Sequence, residues 1–311
     1  SNYIFLWILN LKLQFNDFTF WRPALINGNI TETSYIKDCK CRNIKISHGG
    51  GFTDITKTAV GPIPYFNITG NEVQETINFS FGVGLIVGEN VVSNNKAGSI
   101  GLSHGSTVFT STPPLPASGY RFENNELSAE FFFRQGSGLN VPIIVRNNKA
   151  KSINIPSGSG HTYTLTNNVL QDGYFDSSGA NRTLFSGNTI INGRIVDSSG
   201  GWGDGTEDAV IENNTIHYVY NKEKGGEVIK VTSTSLTLKN NSITGEGGVS
   251  GIIINSGTPT YINGNKITLN NSVPVKDTYG ISTSSGYGVV TGNDISGSWT
   301  GYYSKSGAVL F

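Results

Sequence analysis

The side chains of this 311-residue sequence best suited to breaking a bond are three aspartates, Asp176, Asp197 and Asp204. Two stretches lie over one another: Leu170-Gln171-Asp172-Gly173-Tyr174-Phe175-Asp176-Ser177-Ser178-Gly179 and, with one residue inserted, Ile190-Ile191-Asn192-Gly193-Arg194-Ile195-Val196-Asp197-Ser198-Ser199-Gly200. If each is one turn of a repeat, Asp176 and Asp197 are expected as vertical neighbours. The second stretch runs on into Gly201-Trp202-Gly203-Asp204-Gly205-Thr206-Glu207-Asp208, which reads as a protruding loop with an aromatic ring and three carboxylates. Paired carboxyl groups are what glycoside cleavage needs. One protonates the leaving oxygen; the other acts as nucleophile, at a separation of about 5–5.5 Å, or as base on a water, at about 6.5–9.5 Å. Trp202 and Tyr174 are suited to stack on a sugar face, Arg194 to meet an acidic sugar's carboxylate, and Glu207 and Asp208 to line the same site. Asp-Ser-Ser-Gly is also ordinary turn composition, with the Asp accepting backbone N–H groups.

Other chemistry is less well supported. Glu123, Glu126 and Glu130 read as a solvated face, and Glu223 and Glu227, with Lys222 and Lys224, as a charged surface loop. His48, His104, His161 and His217 are scattered without metal-ligand spacing, and no metal is expected; His217 falls nearest the Trp202 segment and reads as a surface residue. Gly101-Leu102-Ser103-His104-Gly105 fits an esterase string, but that motif works on a strand-to-helix turn, and Ser106-Thr107-Val108-Phe109-Thr110 reads as another strand. Asn-x-Ser/Thr sequences at Asn29, Asn67, Asn78, Asn181, Asn213, Asn240 and Asn270 follow from an Asn-rich composition.

What must position these groups is a repeated word, apolar-x-x-Asn-x-apolar, found from Leu13–Phe18 to Val290–Ile295, with Cys39 in the Asn place of one copy. Successive copies stand about 25 residues apart, the solenoid range. The residue before the register Asn is Gly or Asn in ten of its eleven copies (Gly70, Asn94, Asn124, Asn147, Asn167, Gly187, Asn213, Asn240, Gly264, Gly292). These types tolerate positive φ best, so a left-handed corner between two short strands is expected. Flanking residues such as Ile211-Glu212-Asn213-Asn214-Thr215-Ile216 put one apolar side chain inward and the next outward. Asn above Asn then forms an amide ladder. At about 4.8 Å per coil, about 12 coils make a rod of roughly 55–60 Å.

Composition agrees with an all-β chain: 40 Gly, 14% charged residues and no stretch with helical period. A solenoid buries its core coil by coil, so residues 1–311 read as one continuous domain, and the apolar ends as those of a piece cut from a longer protein. With 22 basic and 22 acidic residues and no basic cluster, nucleic acid is not an expected partner. The run Tyr3 to Leu9 is too short to cross a bilayer, so no membrane insertion is expected. Cys39 and Cys41 are expected to face a coil interior rather than to bond one another. Phe131-Phe132-Phe133 cannot all point inward in a period-2 strand, so at least one ring should be exposed.

The word with Gly-Asn or Asn-Asn at its corner, the irregular coil length and the Gly/Ser/Thr-rich connections resemble right-handed parallel β-helices of the pectin-lyase-like kind, particularly the bodies of bacteriophage tailspikes. The resemblance covers nearly the whole chain. It implies a single-stranded β-helix in a virion tail protein, assembled as a homotrimer and acting extracellularly at the host cell surface. The implied partner is a bacterial surface polysaccharide, bound and cleaved by an endo-acting glycoside hydrolase that needs no cofactor. The same coil also serves lyases and non-catalytic adhesins, so a polysaccharide lyase and a glycan-binding rod are the alternatives. Asp204-Gly205-Thr206-Glu207-Asp208 loosely echoes a motif that opens such phage domains, but it lies far inside this chain and no role is carried over.

Overall fold

The computed structural model describes residues 14–23, 34–49, 62–63, 66–81, 85–86, 89–104, 119–135, 142–155, 162–176, 182–197, 209–223, 225–231, 236–255, 260–271, 278–283, 288–297, 301–304 and 308–310. Among them there is no helix, and the strands build an all-β parallel solenoid.

A typical turn uses three strands, such as Thr162–Thr166, Val169–Gln171 and Tyr174–Asp176, each pairing in parallel with Arg182–Ser186, Thr189–Ile191 and Arg194–Asp197 of the next turn. First-face strands form a sheet of twelve, in sequence order. Second-face and third-face strands merge into one sheet, because Lys40–Gly49 and Glu72–Phe81 run without a break across both faces.

The corner between first and second faces follows from the repeated word. All ten Gly or Asn residues before the register Asn have positive φ, from 54° at Asn124 to 70° at Gly70, and Asp38 before Cys39 joins them at 54°. This conformation turns the chain sharply and aims the next side chain into the wall. There the Asn amides stack: Asn168 Nδ2 donates to Asn188 Oδ1 at 3.0 Å, and Asn188 Nδ2 to Asn214 Oδ1 at 3.1 Å. The ladder runs from Asn71 to Asn293, and each backbone N–H also donates to the next Oδ1, as Asn168 does at 2.8 Å. Asn16 departs from the expectation. It lies inside the continuous strand Gln14–Pro23, where Phe15 precedes it instead of Gly or Asn.

Like positions stack inside. Val145, Leu165, Phe185, Ile211 and Leu238 form one inward column, and Phe131, Ile153, Phe175, Ile195 and Ile229 another; all are buried. Phe131 and Phe133 both point inward among Phe122 and Tyr163, and Phe132 between them is the outward, half-buried ring. Cys41 is buried, Cys39 partly so, and both are free thiols. Ser103 lies in the strand Ser99–His104.

The third corner, from third face to first, is where the repeat varies. Residues 105–118, 136–141, 156–161, 177–181, 198–208 and 232–235 all connect strands across it. One corner is fixed by the amide ladder while the opposite edge accepts connections of any length.

Candidate functional site

Of the residues singled out by sequence, Tyr174, Asp176 and Arg194 are described in full and stand close together on the third face. Asp197 is described in its backbone alone. Trp202, Asp204, Glu207 and Asp208 lie outside the described residues. The expected stacking of Asp176 over Asp197 does not occur: Asp176 is level with Val196, and Asp197 with Val231. The inserted residue falls at the end of the strand Arg194–Asp197, not before it. Phe175 and Ile195 are both completely buried and level with one another, and sliding the register by one residue would turn Ile195 out to solvent.

The face is organised in two outward columns. One holds Phe132, Asn154, Asp176, Val196 and Lys230. The other begins at Glu130, level with Ser152, and continues to Tyr174, which is level with Arg194. Ser152 Oγ donates to Glu130 Oε2 at 3.4 Å. Burial pushes the Tyr174 phenol above its ordinary value, and the negative charges of Glu130 and Asp176 push it further. Tyr174 is therefore a protonated hydroxyl flanked by two carboxylates. Glu130 is the functional candidate that sequence proximity misassigned: Glu123 belongs to the first face, Glu126 to the second and Glu130 to the third. Tracing the coil register from Tyr174 back through Ser152 would have found it.

Arg194 differs from its expected role. Its side chain is only 7% exposed and pairs with Glu227 Oε2 at 3.5 Å, beneath Gly225, where a Cβ would come within 2.5 Å of Nη1. Glu227 also holds Lys230, at 3.1 Å, so it is not the free surface residue of a charged loop. A guanidinium placed this way braces the third face instead of reaching for an acidic sugar. Glu123 was expected as part of a solvated face, yet its side chain is 13% exposed, between Arg121 and Arg146. His217 bonds Glu246 of the next turn at 3.1 Å.

Several carboxylates meet a cation on a strand of the same sheet. Glu72 meets Lys40, Glu75 meets Arg42, Glu126 meets Lys96 and Glu212 meets Lys239. Glu130 instead faces the hydroxyl of Ser152, and Asp176 is level with the uncharged Asn154 and Val196. Among the described residues no cluster of His, Cys, Asp and Glu is built to hold a metal ion. The arrangement offers two carboxylates, a phenol and an amide on one open face, beside the edge that carries the irregular connections. No protein-family model, curated protein or solved structure matches this chain.

Proposed function

We propose that this chain is the solenoid body of a phage tailspike-type receptor-binding protein, which binds a bacterial surface polysaccharide and cleaves it by hydrolysis. The observation that carries the reading is that two carboxylates act on one phenol: Glu130, two turns from Tyr174 in its own outward column, and Asp176, two residues further along the same strand. Glu130 and Asp176 are two turns apart and offset by two residues along the strand, which sets their Cα atoms about 12 Å apart. Side chains leaning toward Tyr174 from both sides bring the carboxyls toward the about 6.5–9.5 Å that leaves room for a water. One carboxyl then protonates the glycosidic oxygen, the other deprotonates the water, and the anomeric centre inverts. Tyr174 and Asn154 donate hydrogen bonds to sugar hydroxyls. Residues 198–208 follow Val196 and Asp197 directly in the sequence, one turn from Tyr174, so Trp202 is the proposed stacking platform and Asp204 a further carboxylate. The homotrimer and the virion tail location belong to the same reading.

Elimination is less well supported, because it needs an unengaged base and the cations nearest Tyr174 in register, Arg194 and Lys230, are held by Glu227. The test is the appearance of new reducing ends when the purified protein meets polysaccharides from bacterial surfaces. Glu130→Gln and Asp176→Asn should each lower turnover at least about a thousandfold at unchanged melting temperature. Full activity in both variants removes these carboxylates from the chemistry. Binding without cleavage by the wild type identifies a glycan-binding rod.

A further inference from the structure

Toward the N-terminal end of the described body, a groove of ≈ 770 Å³ runs along the junction of the second and third faces. The chain bends inward there: a Cβ on Gly98 would stand 2.3 Å from the Glu75 carbonyl oxygen, so only glycine lets adjacent turns approach this closely. The second-face wall is a single column of alternating sign, Lys40, Glu72, Lys96 and Glu126, each level with the next, followed by Lys149. Lys40 Nζ lies 2.7 Å from Glu72 and Lys96 Nζ 3.9 Å from Glu126, while Arg42 on the opposite side lies 2.7 Å from Glu75. Ser128 lines the end of the groove, two residues before Glu130 in the chain.

Resting on the glycan reading above, we infer that this groove receives an uncharged polysaccharide laid along the solenoid axis. Three features point to it. Every cation of the walls has a carboxylate beside it, so the groove creates no net positive field to gather a polyanion. The guanidinium nearest the carboxylate pair, Arg194, is committed to Glu227. The exposed ammonium and carboxylate groups alternate at the spacing of one turn, about 4.8 Å, close to the advance of one pyranose along an extended chain. That pattern offers donors and acceptors to successive sugar hydroxyls, whereas each carboxylate of an acidic glycan would meet a Glu as often as a Lys.

The experiment uses the intact protein on immobilised bacterial surface polysaccharides, neutral and acidic, at about 0.05 M and about 0.5 M salt, a range over which exposed charges become largely screened. Retained polysaccharides should be neutral, with affinity changing less than about twofold across that range. A paired variant, Glu72→Gln with Glu126→Gln, leaves Lys40 and Lys96 without their carboxylates, while Arg42 keeps Glu75. It should bind polygalacturonate about tenfold more tightly at low salt than the wild type does, and lose that gain at high salt. Preferential, salt-sensitive retention of acidic polysaccharides by the wild type overturns this inference and leaves the glycan reading intact, as does a paired variant with no gain for polygalacturonate. Failure to bind or cleave any polysaccharide removes the glycan reading and this inference with it.

Discussion

Replacing Asn188 by alanine tests the amide ladder at its most enclosed point. Asn188 is fully buried. Its Oδ1 accepts from Asn168 N at 2.8 Å and from Asn168 Nδ2 at 3.0 Å, and its Nδ2 donates to Leu165 O at 2.9 Å and Asn214 Oδ1 at 3.1 Å. Truncation strands two buried donors on Asn168 alone. At about 1–3 kcal/mol for each unsatisfied group, Asn188→Ala should cost about 4 kcal/mol, a large share of an ordinary domain's stability. Ser186→Ala, two residues away, removes a hydroxyl that donates to Glu212 Oε1 at 3.3 Å and should cost under about 1 kcal/mol. Guanidinium unfolding followed by circular dichroism measures both, and hydrogen exchange at the Asn168 amide localises the loss, since contacts in a solenoid are between neighbours.

Two further variants make the reasoning refutable. Asn188→Asp keeps the acceptor for Asn168 but loses the donors and turns an oxygen toward the Leu165 carbonyl, so it should destabilise at least as much as alanine. The double variant Asn168→Ala with Asn188→Ala should cost less than the sum of the two single changes, because the stranded Asn168 amide disappears with its side chain. A loss below about 1 kcal/mol for Asn188→Ala, or a mild Asn188→Asp, means that the ladder is an ornament of the corner and not its cause.

The remaining predictions concern the corner backbone and the site. Gly187 has φ 66°, so Gly187→Ala should cost about 1 kcal/mol in chemical unfolding, whereas Gly187→Asn should be nearly neutral, since Asn holds the same place at Asn167 and Asn213 with φ 55° and 56°. Tyr174 is raised above 10.0 by burial, Glu130 and Asp176, so its phenolate absorbance, isolated as the difference from Tyr174→Phe, should emerge late in an alkaline titration. Glu130→Gln should move that titration back toward the ordinary value. Because the folded state holds this proton more tightly than the unfolded chain, the associated stability is fully present below about 10 and is lost as the pH rises through the raised value.

Most of the scaffold was legible because the signals are local. Positive φ at Gly70, Asn94 or Gly187 is chosen by the residue itself, and the apolar residues around it set the strand faces, as in Ile211-Glu212-Asn213-Asn214-Thr215-Ile216. The same word failed at Asn16, where Phe15 has no comparable ease at positive φ. The site was harder to read. Asp176 and Asp197 looked aligned because both precede Ser-Ser, yet the register obeys the buried pair Phe175 and Ile195. Glu130 looked like a neighbour of Glu126, but the chain has turned at Ser128 and Ala129, where backbone bonds from the preceding turn arrive at 3.0 and 2.8 Å, and so Glu130 enters another face.

Stacking also constrains where charge can sit on such a body. Each outward residue sits about 4.8 Å from the like position on both adjoining turns, so a column of one sign would repel itself along the rod; like charges directly opposite destabilise a sheet. This chain meets that constraint by alternation, in Lys40, Glu72, Lys96, Glu126 and Lys149, and by engagement, in Glu123 between Arg121 and Arg146 and Glu227 between Arg194 and Lys230. Glu130 accepts a hydrogen bond from Ser152, and Asp176 stands level with Asn154 and Val196. They are separated from each other by the uncharged Ser152 and Asn154 and share the field of one phenol. Both carboxylates act on the same phenol beside the edge where the connections vary in length, and that shared field is the physical reason for the proposal that places the chemistry there.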